Sequence, residues 1–357
     1  MPRASVVKSN SDSVMWKVAD LFCGAGGFSE GFRQMGFEIS FALDHWKPAV
    51  RTFRKNHPHA EVIEEDAFCV DPSILPRVDV VIGSPPCSPF SYSNGKKQIS
   101  LGLALSLVRR FVEFVEEMRP RVWFMENVPP IKRFLDAVVP PRGYNTNDAV
   151  STVLNAADFG VPQRRRRLFW GNAPIPKSTH VRLGTMSSES MKESAKRPWR
   201  SMGSVLNALP DPLGALRGEV LDSSNGVTVP ASRLTDHFQS TSLTLHQMRR
   251  NRDQKTRHAW CGRMRFPDDL DSPARTITAT QIPGARETIV IPFLTGGKIW
   301  YRRLTVRECA TLQSFPITYQ FVGKTSDTNY RLVGNAVPPL LSRAIASAIL
   351  LSLSASL

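Results

Sequence analysis

Apolar positions in the first half of the chain come in short unbroken runs, each closed by glycine, proline or an acidic residue. Residues 17–22 (KVADLF) form the first run and end in Cys23-Gly24-Ala25-Gly26-Gly27, after which 28–35 has helical character. Strand, glycine turn, helix is the opening unit of a doubly wound sheet. A second run, 39–43, stops at Asp44, and Val62-Ile63 leads to Glu65-Asp66. Residues 78–82 then lead into Gly83-Ser84-Pro85-Pro86-Cys87-Ser88-Pro89-Phe90-Ser91. Apolar positions at 107, 108, 111, 112, 114, 115 and 118 predict a helix over 103–118, ended by Arg119-Pro120. Residues 122–125 read as the next strand, which delivers Glu126-Asn127-Val128-Pro129-Pro130.

Beyond residue 171 the pattern fades. Residues 171–203 are rich in Pro, Ser and Lys and read as a linker. From about 204 to 295 helical periodicity is weak, and short β-like pieces recur at 274–280 (ARTITAT) and 288–293. Segments 304–315 and 338–353 then return to the first domain. The expected division is a flexible leader over 1–15, an α/β domain over 16–178 plus 300–357, and a smaller, mostly β or irregular domain over 179–299.

Composition changes this picture little, and charge changes it more. The 357 residues are 41% hydrophobic and 22% charged, enough for one large and one smaller globular domain, each with its own core. No run of eighteen apolar residues predicts a membrane span, and the polar N-terminus has no apolar signal core. Five cysteines at irregular positions make neither a disulfide frame nor a metal site, so a reduced, cytoplasmic setting and no metal are expected. The net charge of +15 suits a polyanion, although a merely basic soluble protein would have it too. Between 241 and 265 seven Lys/Arg face a single Asp, which makes Arg249, Arg250, Arg252, Lys255 and Arg257 candidate phosphate or base contacts.

The ends of the predicted strands hold the candidate chemistry. Glycines at 24, 26 and 27 let backbone approach a ligand closely. Asp44, about twenty residues on, stands where a carboxylate holds the ribose hydroxyls of an adenosine, and Asp66 where one meets the adenine amino group. At this point a dehydrogenase, a methyltransferase and a glycine turn made only for packing all remain open. Cys87 sits in a proline-stiffened loop, and a lone cysteine there is more often structural than nucleophilic. In Gln163-Arg164-Arg165-Arg166-Arg167, strand alternation puts Arg165 and Arg167 inward and Arg164 and Arg166 outward.

Six segments in order resemble the cytosine-5 DNA methyltransferase family: DLFCGAGGFSEGF (20–32), GSPPCSPFS (83–91), FMENV (124–128), GVPQRRRRLFW (160–170), RRLTVRECATLQSFP (302–316) and GNAVPP (334–339). The match runs along nearly the whole chain, apart from about 180–290, and the segment after the cysteine loop lacks the family's usual Arg-Gly or Arg-Asn. The resemblance implies a Rossmann-like methyltransferase sheet with a target-recognition domain, and methyl transfer from S-adenosylmethionine to C5 of a flipped-out cytosine in duplex DNA. Cys87 would be the nucleophile, Glu126 the partner of the ring N3, and Arg165 and Arg167 the cations on the O2 side, with Asn127 positioning the loop. Phe22, Gly24, Gly27, Asp44, Asp66, Pro86, Asn335 and Ala336 would line the cofactor pocket. Ser91 matches a serine near the flipped nucleotide's phosphate, and Thr276 and Thr278 match a threonine-bearing strand of the recognition domain. Cys23, Cys69, Cys261 and Cys309 are left structural. The expected setting is a monomeric prokaryotic modification enzyme in the cytoplasm, at the nucleoid; whether a cognate restriction endonuclease is encoded nearby is left open by the sequence.

Rival readings are set apart by single features. An amino-methyltransferase would carry an aromatic residue after Ser84-Pro85-Pro86, where this chain has Cys87. A transfer-RNA enzyme of the same family would carry Cys-Phe-Thr in the recognition region, which is lacking here. An inactive DNA-binding protein has no use for Cys87, Glu126, Arg165 and Arg167 together.

Overall fold

The computed structural model describes residues 15–86, 97–135, 138–144, 149–182, 195–212, 218–222, 226–234, 236–237, 241–257 and 264–356, with Lys97 to Ser100 as backbone alone. Seven strands form one sheet: β1 (Lys17–Leu21), β2 (Glu38–Leu43), β3 (Glu61–Ile63), β4 (Val80–Gly83), β5 (Val122–Asn127), β6 (Val150–Asn155) and β7 (Arg166–Gly171). Their spatial order is β3-β2-β1-β4-β5-β7-β6. The pairs from β3 through β5 are parallel, and β7 runs antiparallel to both β5 and β6. Every residue of β4 and β5 is buried, which explains why these strands read as unbroken apolar runs. The strand order reverses between β1 and β4, and such a reversal opens a crevice at the carboxyl ends of the strands.

A long-range contact between the first and last helices covers part of the sheet. Helix α1 (Gly27–Gln34) buries Phe28 and Phe32 and packs on the C-terminal helix, Pro339–Ser354. A Cβ on Gly31 would come within 2.4 Å of Ser342, so only glycine lets the two helices approach this closely. The remaining long helices before the middle region are α2 (Lys47–Asn56) and α3 (Lys97–Met118), the second longer at its start than the apolar spacing predicts.

The middle region is irregular, with small strand pairs: β8 (His180–Val181) with β9 (Arg197–Pro198), β10 (Glu219–Asp222) with β11 (Val227–Pro230), and β12 (Val290–Thr295) with β13 (Lys298–Arg303). It also holds a twelve-residue helix, α4 (Leu245–Thr256), where no helix is expected from the sequence. The expected β-like piece at 274–280 makes a single bridge, Ala274 to Gln163, and no strand. The chain returns through α5 (Val306–Leu312), α6 (Ser326–Asn335) and α7 (Pro339–Ser354). The stretch Ser326–Ser354 is long and apolar enough to cross a membrane by composition, but it is two helices, and α7 packs on α1.

The expectation of a separate core for each domain needs correction. Met202, Val205, Val220, Ala231, Ile277 and Ile291 of the middle region share one buried cluster with Val306, Phe315, Tyr330 and Val333 of the return segment and with Ala25 and Ala49 near the first strands. Among the described residues, the middle region completes this core together with the C-terminal segment.

Candidate active site

The carboxyl ends of β4 and β5 meet at the predicted chemistry. Cys87 and Ser91 lie outside the described residues, as does Cys261. The chain leading to Cys87 is fixed: Asn127 Nδ2 donates to the Pro85 carbonyl at 3.1 Å, and Asn127 Oδ1 accepts from the Val128 N–H at 2.8 Å. Asn127, fully buried, thus holds the chain at Pro85. Glu126, its neighbour, is 6% exposed and faces Arg167, with 3.1 Å between Oε1 and the guanidinium Nε. Burial pushes the Glu126 carboxyl up from its ordinary pKa, against the pull of Arg167 and then of Arg165.

The arginine run alternates as the sequence predicts, with Arg164 and Arg166 exposed, Arg165 buried and Arg167 half-buried. Arg165 also makes contacts that the sequence does not reveal. Its guanidinium donates to the carbonyls of Ile277 (3.1 Å) and Gly334 (2.9 Å), so it ties the middle region and the return segment to the start of β7. Gln163, fully buried, does the same through the Ile277 N–H (3.0 Å) and the Gln313 side chain (2.8 Å). A Cβ on Gly334 would lie 2.3 Å from the Thr278 carbonyl, which accounts for the glycine of the GNAVPP motif. Gln313, Ile277 and Gly334 are parts of the site that local pattern could not show, because their roles depend on chain segments more than 110 positions away.

The predicted cofactor residues gather at the ends of β1, β2, β3 and β4. Phe22 has φ of 57° and Gly24 of 55°, a left-handed turn that is strained for phenylalanine. Asp44 accepts from the Gly24 N–H at 2.9 Å and the Trp46 N–H at 2.8 Å, so it braces the glycine turn before it meets any ligand. Its carboxyl is raised by burial against those two hydrogen bonds. Asp66 and Pro86 are exposed, and Asp66 accepts the Phe68 N–H at 3.0 Å. Asn335, the last residue of α6, is exposed, and buried Ala336 lies against Gly27. A Cβ on Gly27 would sit 2.3 Å from the Val337 carbonyl, so glycine is required there for packing, whereas around Gly24 the space is open. An adenosine cofactor fits this edge: an open turn, carboxylates after β2 and β3, and an apolar ring at Phe22.

The DNA-contact candidates divide. Arg249, Arg250, Arg252 and Arg257 are exposed on or just after α4. Lys255 is a correction: fully buried, it pairs with Asp268 at 2.6 Å and offers no exposed charge. The helix is polar almost all round and buries only Asn251 and Lys255, four positions apart, which is why apolar periodicity missed it. The legible signal was its capping box, Thr244 with Gln247. Thr276 and Thr278 lie in no strand, and their hydroxyls donate to the carbonyls of Arg164 and Thr280, both at 2.8 Å. Cys23 and Cys309 are buried, and burial raises both thiols, which opposes thiolate formation; Cys69 is exposed.

Comparison with known proteins matches residues 16–351 to the family model described as C-5 cytosine-specific DNA methylase. The chain belongs to this family. As a C-5 cytosine-specific DNA methylase it is an enzyme that transfers methyl groups to C5 of cytosine in DNA. It is similar to the type II methyltransferase M.DdeI of Desulfomicrobium norvegicum, 28% identical over 93% of this chain and 88% of that protein. It is also similar to M1.HphI of Haemophilus parahaemolyticus, 30% identical over 93% of this chain and 86% of that protein. Among solved structures, the Dnmt2 methyltransferase of S. pombe superposes with a TM-score of 0.59 at 16% identity, covering 95% of this chain and 99% of its own. EhMeth of Entamoeba histolytica does so with a TM-score of 0.59 at 15% identity, covering 95% and 99%. At such identities these two support the fold alone. The doubly wound, Rossmann-like α/β methyltransferase architecture expected from the sequence is the one observed.

Proposed function

We propose that the chain methylates cytosine within a specific duplex sequence through a covalent adduct between Cys87 and C6 of a flipped-out base. The observation that carries this reading is the buried Glu126–Arg167 pair at the end of β5, beside an Asn127 that anchors the chain two residues before Cys87. Carbon 5 of cytosine is a weak nucleophile, and addition of a thiolate at C6 makes it an enamine carbon. Glu126, its carboxyl raised by burial, would hydrogen-bond the N3 edge and supply a proton to N3 as the ring gains electron density. Arg167 sits beside the carboxyl and offsets negative charge at the ring's O2 side; Arg165 holds the surrounding segments in place. The target base leaves the stack to reach this buried edge.

S-adenosylmethionine supplies an electrophilic methyl group when bound. Phe22, Gly24, Asp44, Asp66 and Pro86, with Asn335 and Ala336 at the closing edge, would hold it so that the methyl faces the base. Exposed Arg249, Arg250, Arg252 and Arg257 would meet the duplex, and Ser91 the flipped nucleotide's phosphate. The working form in this reading is a monomer in the prokaryotic cytoplasm, its similarity to type II methyltransferases suiting a modification role beside a restriction endonuclease.

The test is a trap. Duplexes carrying 5-fluorocytosine should capture wild-type protein covalently, because the fluorine cannot leave, while Cys87→Ala should bind DNA but transfer no methyl group. Methyl transfer by Cys87→Ala at a rate comparable to wild type would end the reading.

A further inference from the structure

Asp268 is buried at the meeting of three segments. Its Oδ2 accepts from Lys255 Nζ of α4 at 2.6 Å and from the Val290 N–H of β12 at 2.8 Å, while its Oδ1 accepts from Arg275 Nε at 2.7 Å. The Lys255 side chain is 0% exposed and that of Asp268 is 7%. Burial opposes ionisation of Asp268, but Arg275 and Lys255 together hold its carboxyl below the usual range. A buried ion pair adds little net stability over apolar packing, and its best-attested use is to fix register between segments.

The two arms lead to different places. On the Lys255 side, α4 is held by that residue and by Asn251, whose amide donates to the Ala285 carbonyl; Arg249, Arg250, Arg252 and Arg257 stay exposed. On the Arg275 side, the chain reaches Ile277 two residues later, where the carbonyl accepts from Arg165 at 3.1 Å and the N–H donates to Gln163 at 3.0 Å. One carboxylate thus links the arginine-bearing helix to Ile277, which Arg165 and Gln163 hold at the start of β7.

We propose that Asp268 is a positioning residue that keeps the DNA-facing helix α4 and Arg165 in one register, so that recognition of the target site sets the rate of methyl transfer. This rests on the reading that α4 faces duplex DNA. No apolar side chain would serve, because dispersion contacts do not fix three segments at hydrogen-bond spacing.

The experiment uses the full chain. Bisulfite sequencing of treated plasmid identifies the methylated site, and two synthetic duplexes are made, one with that site and one with a single base pair changed. Single-turnover rates are measured for wild type, Asp268→Asn and Lys255→Met at saturating S-adenosylmethionine. The cognate rate should fall about 2- to 30-fold in both variants and the cognate-to-changed ratio should narrow by a similar factor, the range for residues that modulate coupling. Cofactor affinity by calorimetry and the salt slope on unrelated duplex should stay at wild-type values. A merely structural loss would lower the amplitude of the single-turnover burst and leave rate constant and ratio unchanged, which overturns the proposal. If Asp268→Asn does not fold, Arg275→Lys, which keeps the charge but loses the guanidinium geometry, is read by the same assay. Wild-type protein that methylates no duplex cytosine would instead overturn the proposed function.

Discussion

At Glu126 burial and a neighbouring cation act in opposite directions on one proton. Desolvation raises its pKa, and Arg167 at 3.1 Å restrains the rise. A raised carboxyl keeps its proton to higher pH, so methyl transfer should decline on the alkaline side as pH passes through that raised value. Arg167→Gln removes the restraining cation, and the alkaline limb should move to still higher pH while the maximal rate falls. Glu126→Gln should lose the limb altogether and about 10²–10⁴ in rate, the usual weight of a positioned general acid. Single-turnover profiles over pH check both, and an Arg167→Gln limb at the wild-type position would sever Glu126 from the titration. Two of the three glycines of the first turn separate in the same way. Gly27→Ala places a methyl 2.3 Å from the Val337 carbonyl and should cost about 1–3 kcal/mol in thermal or urea unfolding. Gly24→Val meets open space and a left-handed φ, so it should weaken S-adenosylmethionine binding by more than its smaller stability loss explains. Equal calorimetric affinity in Gly24→Val and wild type would move the cofactor elsewhere.

At the level of elements, legibility followed the source of each element's order. Strands β1, β4 and β5 are buried on both faces, so their burial is written as local apolar runs. The alternation of Arg164 to Arg167 was readable because a period of two needs no partner to be seen. Helix α4 was not readable, since it is held by Asn251 and Lys255 through polar contacts rather than by an apolar stripe. Lys255 is illegible for the same reason: among seven basic residues, sequence does not say which one has a buried carboxylate waiting. With the capping box in view, Thr244→Ala should destabilise α4 by about 1 kcal/mol. Single alanine replacements of Arg249, Arg250, Arg252 and Arg257 should each flatten the dependence of log K on log salt by about one unit where a phosphate contact is lost. Salt titrations on cognate and scrambled duplexes check this, and unchanged slopes in all four would make α4 a solvated face.

Across the whole molecule, Arg165 gathers what the chain order keeps apart. Its guanidinium reaches carbonyls 112 and 169 positions downstream, and no sequence-local pattern predicts either contact. The shared cluster built from Met202, Ile277, Phe315 and Val333 has the same character, joining the middle region to the return segment. Both features have a meaning in time as well as space. A chain emerging from the ribosome presents Glu126 and the arginine strand early, but Gly334 and the helix that braces α1 come last. A polypeptide cut short before Gly334 would lack both the carbonyl that accepts from Arg165 and the helix that packs on α1, and it should transfer no methyl group.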